Sequence, residues 1–371
     1  MKQEECKNKK KLDNIDLLKA LAIYFVIIYH FNNIPVNIIK YDGVANYFNL
    51  YFKSIISTCV PIFFFVNGSL LLNKEKIDIK KHTKKIIKIM ILTILWGAIL
   101  LMPLMYIRGE IISFTFIDIL KGSWIFQPSW NYSWFLCALV MIYVFYPLIY
   151  TAYHSNKKIF FFFFACVMFF TFGKTLLVNF LTVISYLSNK FTDAEFHISY
   201  ITNFNPFNQF GYSIGYFMLG GLMGKILYSV LNDYKKKVTI MAFVALPIST
   251  LCLFLYAIIA SLRSNEMWDP VWSGYDTIFT LINVIALYII SMHYKSVGWF
   301  GKFISVVGKN SLGIYLIHII AGYILKPFFV QLECSTMLIA NIIYAFIILL
   351  CSLLLTITLK KIPVMKYLVS I

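Results

Sequence analysis

Acidic residues are scarce in this chain and arginine is almost missing. Sixteen Asp and Glu stand against 33 Lys and Arg, a formal charge of +17, and every one of those cations except Arg108 and Arg263 is lysine. Charged residues of all kinds make up 13% of the 371 positions, while 60% are hydrophobic. A soluble domain of this length has no interior large enough for so much apolar surface. The composition therefore excludes an ordinary globular fold and points to a polytopic membrane protein. Familiar catalytic signatures are missing as well. There is no GxSxG, no HExxH, no Walker-type glycine loop and no Cys/His set at zinc spacing, so neither a metal nor a bound cofactor is expected. The seven cysteines form an odd set. Cys59, Cys137, Cys166, Cys252 and Cys351 fall in apolar runs, Cys6 in the basic N-terminus and Cys334 in an outer loop. They read as small hydrophobes rather than disulfides.

The excess of lysine does not imply a nucleic-acid partner. The cations cluster in short segments between apolar runs, which is how orientation in a bilayer is encoded. Abundant Phe (35) and Tyr (25) suit lipid-facing helices and interfacial rings. Ten apolar segments of spanning length are expected at 15–33, 50–72, 89–107, 133–151, 159–179, 206–228, 238–261, 275–292, 304–325 and 337–359. With the N-terminus in the cytoplasm, only Lys40, Lys53, Arg108, Lys121, Lys174, Lys190, Arg263 and Lys326 fall outside. That asymmetry predicts an all-α fold of about ten transmembrane helices with both termini inside. The basic KNKKK segment and the apolar run after it read as a retained signal-anchor, since no small-residue cleavage site follows. Residues 1–14 are then a basic cytoplasmic N-terminus, 15–359 one transmembrane domain and 360–371 a short cytoplasmic tail. For 159–205, charge placement favours one long helix with an outer extension, or an outer interfacial segment.

Candidate chemistry starts in the first span, DLLKALAIYFVIIYH (16–30). Asp16 and Lys19 share a helix face at its start, and His30 lies about 21 Å beyond Asp16. An ionisable group inside a span is costly and marks function by default, and imidazole suits proton transfer near neutral pH. His318, in GKNSLGIYLIH, is expected about 20 Å up the ninth span, at similar depth, either as a partner in chemistry or as an interhelical hydrogen bonder. The second span carries Pro61 and Asn67-Gly68-Ser69, which allow close helix packing or contact with a ligand. Residues 73–88 form the densest cationic stretch. Lys81, Lys84, Lys85 and Lys88 there anchor helices at anionic lipid or meet a phosphate-bearing donor. Trp130, Asn131 and Trp134 belong to an aromatic outer segment that serves as an interfacial belt or as a surface for sugar rings. The outer carboxylates Glu110, Asp118, Asp193, Glu195, Asp269, Asp276 and Glu333 are scattered, and Asp276, at the outer mouth of the eighth span, is the one that stands out.

Four of these stretches resemble signatures of the acyltransferase-3 family of integral-membrane acyltransferases, which includes bacterial surface-polysaccharide O-acetyltransferases. Lys19 and His30 match its pattern of a basic residue, a ten-residue spacer and a histidine. VPIFFFVNGSLLL (60–72) is similar to its VP-x-FF-x-x-SG-x-LL, with Asn67 where serine is usual. SWFLCALVMIYVFYPLI (133–149) is similar to its WFL/WYL segment before a Tyr-x-x-x-P helix, and NSLGIYLIH (310–318) to its S-x-x-IYL-x-H. Two departures stand out. Lys19 replaces the commoner arginine and loses bidentate phosphate contact. The arginine pair some relatives carry at the third helix is missing, leaving Lys81, Lys84 and Lys85. The stand-alone type is expected, without the SGNH hydrolase-like domain fused to some relatives.

The resemblance implies transfer of an acyl group, most often acetyl, from cytosolic acyl-CoA as co-substrate to a hydroxyl of a surface or lipid-linked glycan at the bacterial cytoplasmic membrane. It implies His30 as general base or transient acyl carrier, with Lys19 holding the donor or steadying the start of its helix with Asp16. Trp130, Asn131, Trp134 and Asn67 are candidates for the acceptor or the cavity, with Asn67 toward the cytoplasmic half of its span. The rival reading is a glycan exporter or flippase component without chemistry, in which His30 couples to protons.

Overall fold

The structure, a computed structural model, describes residues 2–41, 43–108, 115, 134–188, 207–208 and 210–370, with the side chains of 2–12, 101–108 and 225–235 excepted. Among the described residues every regular element is helical. In chain order these are α1 (Lys2–His30), α2 (Val44–Ile56), α3 (Cys59–Leu71), α4 (Ile79–Arg108), α5 (Trp134–Ser155), α6 (Lys157–Met168), α7 (Lys174–Ser188) and α8 (Tyr212–Ser264). They continue with α9 (Ile278–Ser291), α10 (Gly298–Lys309), α11 (Ser311–Val330) and α12 (Leu338–Lys361). Short 3₁₀ turns lie at Glu333–Thr336 and Met365–Leu368. Six helical runs are long and apolar enough to cross a bilayer: Val44–Leu71, Trp134–Ser155, Lys157–Ser188, Lys236–Ser264, Ser311–Val330 and Leu338–Lys361. The chain is a multi-pass membrane protein.

The run α2–α3 is the centre of the bundle. Of the apolar window in Val44–Leu71, 83% is buried, against 17% in Lys157–Ser188, so the second faces lipid while the first is wrapped by protein. In α3 every residue except Asn67 and Leu70 is buried. The expected span 50–72 is broken at Ser57-Thr58, because the Pro61 ring would collide with the carbonyl of Ser57 in an unbroken helix. Hydroxyls occupy the freed backbone groups: Ser57 Oγ donates to Ser54 O (2.8 Å) and Thr58 Oγ1 to Ile55 O (3.2 Å). Local pairing of this kind lets a break survive inside a membrane protein.

Glycines set how closely α8 approaches α3. A Cβ at Gly220 would run into the Phe65 carbonyl, and one at Gly68 into that of Phe217. The notch is reciprocal, so the two backbones touch. The expected spans 206–228 and 238–261 belong to one helical element, α8. It does not run straight: about 60 Å of helix would separate Tyr216 from Tyr256, yet both reach the same loop. The Tyr216 hydroxyl donates to Tyr275 O (2.9 Å), and the Tyr256 ring packs on Trp268 at 5.0 Å. The path therefore bends back between Tyr216 and Tyr256.

Other boundaries also moved. Residues 159–188 form one long run, with a π turn at Phe169–Gly173 joining α6 to α7. The expected ninth span, 304–325, is divided at Asn310 into α10 and α11. Helix α10 exposes Trp299 and Phe300 on one side and presses Gly308 against the backbone of Asp16 on the other. Residues 2–14 continue α1 rather than preceding it. At the far end of the chain, Trp96 Nε1 donates to Leu368 O (2.7 Å), which docks residues 365–370 on α4. Cys59 is buried, and Cys137, Cys166, Cys252 and Cys351 are half-buried.

Candidate active site

His30 is the last residue of α1, and the residues after it fix its position. Asn32 Nδ2 donates to the carbonyls of Ile28 (2.8 Å) and Tyr29 (3.0 Å), occupying helix-end acceptors that α1 itself leaves open. Asn33 N donates to Asn341 Oδ1 (2.7 Å) on α12, whose amide in turn bonds Ser335 O and Met337 O. The chain leaving α1 is thus tied to α12, and the half-buried His30 is held at its end.

His318 comes from α11 and is fully buried. Its ring centroid lies 5.6 Å from that of His30. Because α11 starts at Ser311, His318 is about 10 Å along its helix rather than the expected 20 Å. The two imidazoles nevertheless meet, since α11 begins part-way up the bundle. His318 Nδ1 lies 2.5 Å from Tyr315 O. A carbonyl only accepts, so this contact assigns the proton to Nδ1 and leaves a lone pair on Nε2. That Nε2 is buried and has no hydrogen-bond partner among the described residues. Phe31 and Tyr315 wall the pair, with rings 6.2 and 5.7 Å from His318.

Toward the lysine-rich end, the candidate donor residues separate. Lys19 is half-buried and within Coulombic reach of Asp16 and of Lys85. It makes no ion pair with Asp16, whose carboxylate instead accepts from Ser305 Oγ (2.7 Å) on α10. Lys85 points inward, its ammonium 5.1 Å from the Tyr143 ring centre. Lys81 and Lys84 are exposed, and Lys81 pairs with Asp78 (3.6 Å). Asp78 caps α4, and the backbone N–H of Lys81 holds its carboxyl below the usual range. Asn67 lies with this group: its Oδ1 accepts from Tyr143 OH (3.0 Å) and its Nδ2 donates to Phe63 O (2.8 Å). It ties α3 to α5.

At the opposite end Trp134 stacks on Phe210 (5.2 Å, 20°) and meets Trp272 edge-on (5.2 Å, 84°). Trp130 and Asn131 lie outside the described residues. Asp269, one of the scattered outer carboxylates, organises this end. It accepts from Tyr29 OH (2.8 Å), pairs with Lys53 (3.2 Å) and accepts from Val271 N (2.8 Å). Tyr29 adjoins His30, their rings 5.3 Å apart. The signal that would have found this group is the run Met267-Trp268-Asp269-Pro270-Val271-Trp272, where turn formers and indoles share one outer loop. Asp276, the other outer carboxylate of interest, accepts from Thr175 Oγ1 (2.6 Å) on α7.

The site is thus a pair of histidines, His318 fully buried and His30 half-buried, between an end with inward lysines and an end with an open indole. The profile of the acyltransferase-3 family, described as an acyltransferase domain, matches residues 12–361. The chain belongs to the acyltransferase-3 family. It is a membrane acyltransferase, and the match runs from within α1 to the end of α12. No curated protein and no solved structure matches it.

Proposed function

We propose that this acyltransferase-3 member is an O-acyltransferase of the bacterial cytoplasmic membrane. In this reading it moves an acyl group, acetyl in the first instance, from cytosolic acyl-CoA to a hydroxyl of a surface or lipid-linked glycan. The observation that carries the reading is the position of His30. It closes α1, faces His318 at 5.6 Å, and lies between the two chemically different ends of the bundle. With the lysine-bearing end in the cytoplasm, phosphates of the donor meet Lys19 and Lys85, where clustered cations complement them. About 16 Å of helix separates Lys19 from His30. A phosphate held there leaves the pantetheine arm free to carry the thioester to the histidines, while the acceptor arrives past Trp134.

His30 takes the proton of the acceptor hydroxyl as its oxygen attacks the thioester carbonyl. The tetrahedral adduct collapses, the C–S bond breaks, and the leaving CoA thiolate takes the proton back. An imidazolium formed at the end of α1 gains from the partial negative charge of the helix C-terminus. Base catalysis of this kind is worth roughly 10²–10⁴-fold. His318, with Nδ1 committed to Tyr315 O, offers only its Nε2 lone pair and acts as the partner of His30. Lys81 and Lys84 steer the anionic donor from the surface. In this reading acyl-CoA is a co-substrate.

Deleting the gene tests this reading against export of the same polymer. The surface glycan should still appear outside the cell but without its ester-linked acyl groups. Loss of the polymer itself would favour the exporter instead.

A further inference from the structure

We propose that the loop joining α8 to α9, residues 265–277, recognises the acceptor, with Trp272, braced by Trp134, forming the surface on which a sugar ring of the glycan stacks. This rests on the glycan reading above and deepens it. The loop is built to be rigid. Ser273 N donates to Asp269 O (3.0 Å), Gly274 N to Val271 O (3.3 Å) and Thr277 N to Gly274 O (3.1 Å), while Asp269 Oδ1 caps the turn at Val271. A Cβ at Gly274 would strike the Pro270 carbonyl, so the turn closes tightly on itself. On this fixed turn Trp272 keeps 47% of its surface open, whereas Tyr275 on the same turn keeps 3%.

An indole left half open on a rigid turn offers one aromatic face, and Trp134, itself stacked on Phe210 and edge-on to Trp272 at 84°, braces it. A pyranose has a matching shape, with an apolar C–H face that packs on one ring and hydroxyls directed away from it. Polar partners for those hydroxyls are close by. Lys53 is tied to Asp269 through one contact (3.2 Å), and an ammonium carries three donors. The same carboxylate accepts from Tyr29 OH, which adjoins His30. The loop that grips the sugar is therefore pinned one residue from the proposed base, and Asp269 is its positioning residue.

Purified protein in lipid nanodiscs tests this with two readouts, CoA released from acetyl-CoA alone and CoA released on adding glycan. The acceptor is the producing cell's own envelope glycan, stripped of esters by mild base. W272A should raise the glycan KM about tenfold and leave both the acetyl-CoA KM and glycan-independent release unchanged. W272F, which keeps a packed ring, should retain most of the glycan affinity. An unchanged glycan KM in W272A, or an equal shift in the acetyl-CoA KM, would overturn the inference while leaving the function intact. A wild-type protein that releases no extra CoA on addition of glycan would instead overturn the glycan reading, and this inference with it.

Discussion

Replacing His318 with leucine separates chemistry from architecture. The substitution removes the Nδ1–H contact to Tyr315 O, worth about 1 kcal/mol, and the ring contacts to Phe31 and Tyr315, worth about 0.5–1 kcal/mol each. It also removes the buried, unpartnered Nε2, a group whose desolvation costs about 1–3 kcal/mol. The Tyr315 carbonyl keeps its place in the α11 ladder, so no acceptor is orphaned. Loss and relief nearly cancel, and the variant should stay within about 1 kcal/mol of wild type. A thermal melt of the detergent-solubilised protein measures that. Acyl transfer, followed as CoA release, should nevertheless fall on the order of 100-fold, and H318Q, whose amide reaches the Nε2 position, should recover part of it. An H318L variant that melts like wild type and turns over like wild type would refute a chemical role for the pair. One that no longer folds would make His318 a structural residue.

Lys19→Ala should raise the acyl-CoA KM about tenfold with the glycan KM unchanged, and K19R should restore it; loss of membrane insertion would make Lys19 an anchor instead. Gly220→Ala drives a methyl into the Phe65 carbonyl and should destabilise the protein by about 1–3 kcal/mol. In the same melt Gly43→Ala, whose nearest neighbour would be 3.9 Å away, should show little change; equal melting of both variants would argue against a backbone contact between α3 and α8.

The class and family of the protein were legible because bilayer energetics write them into composition and into four local motifs. The helix of His30 was legible for the same reason, as an apolar run opened by Asp16 and closed by an ionisable group. Helix ends were less so. An apolar run looks alike whether it is one helix or two, so the breaks at Ser57-Thr58 and Asn310 and the joining of two spans in α8 were not apparent. Only Pro61 hinted at the first. His318 is expected at the depth of His30, and the 5.6 Å between their rings agrees with that; its distance along its own helix is shorter because α10 and α11 read as one span. Asp269, Lys53 and Tyr29 come from three distant parts of the chain, and only the fold brings them together.

The central claim is that His30 takes the acceptor's proton. His30→Ala, reconstituted in nanodiscs with acetyl-CoA and de-esterified envelope glycan, measures this directly. The account predicts a correctly inserted protein with wild-type melting whose transfer to glycan has fallen at least 100-fold. A variant that is inserted, folded and acylates glycan at the wild-type rate would contradict it.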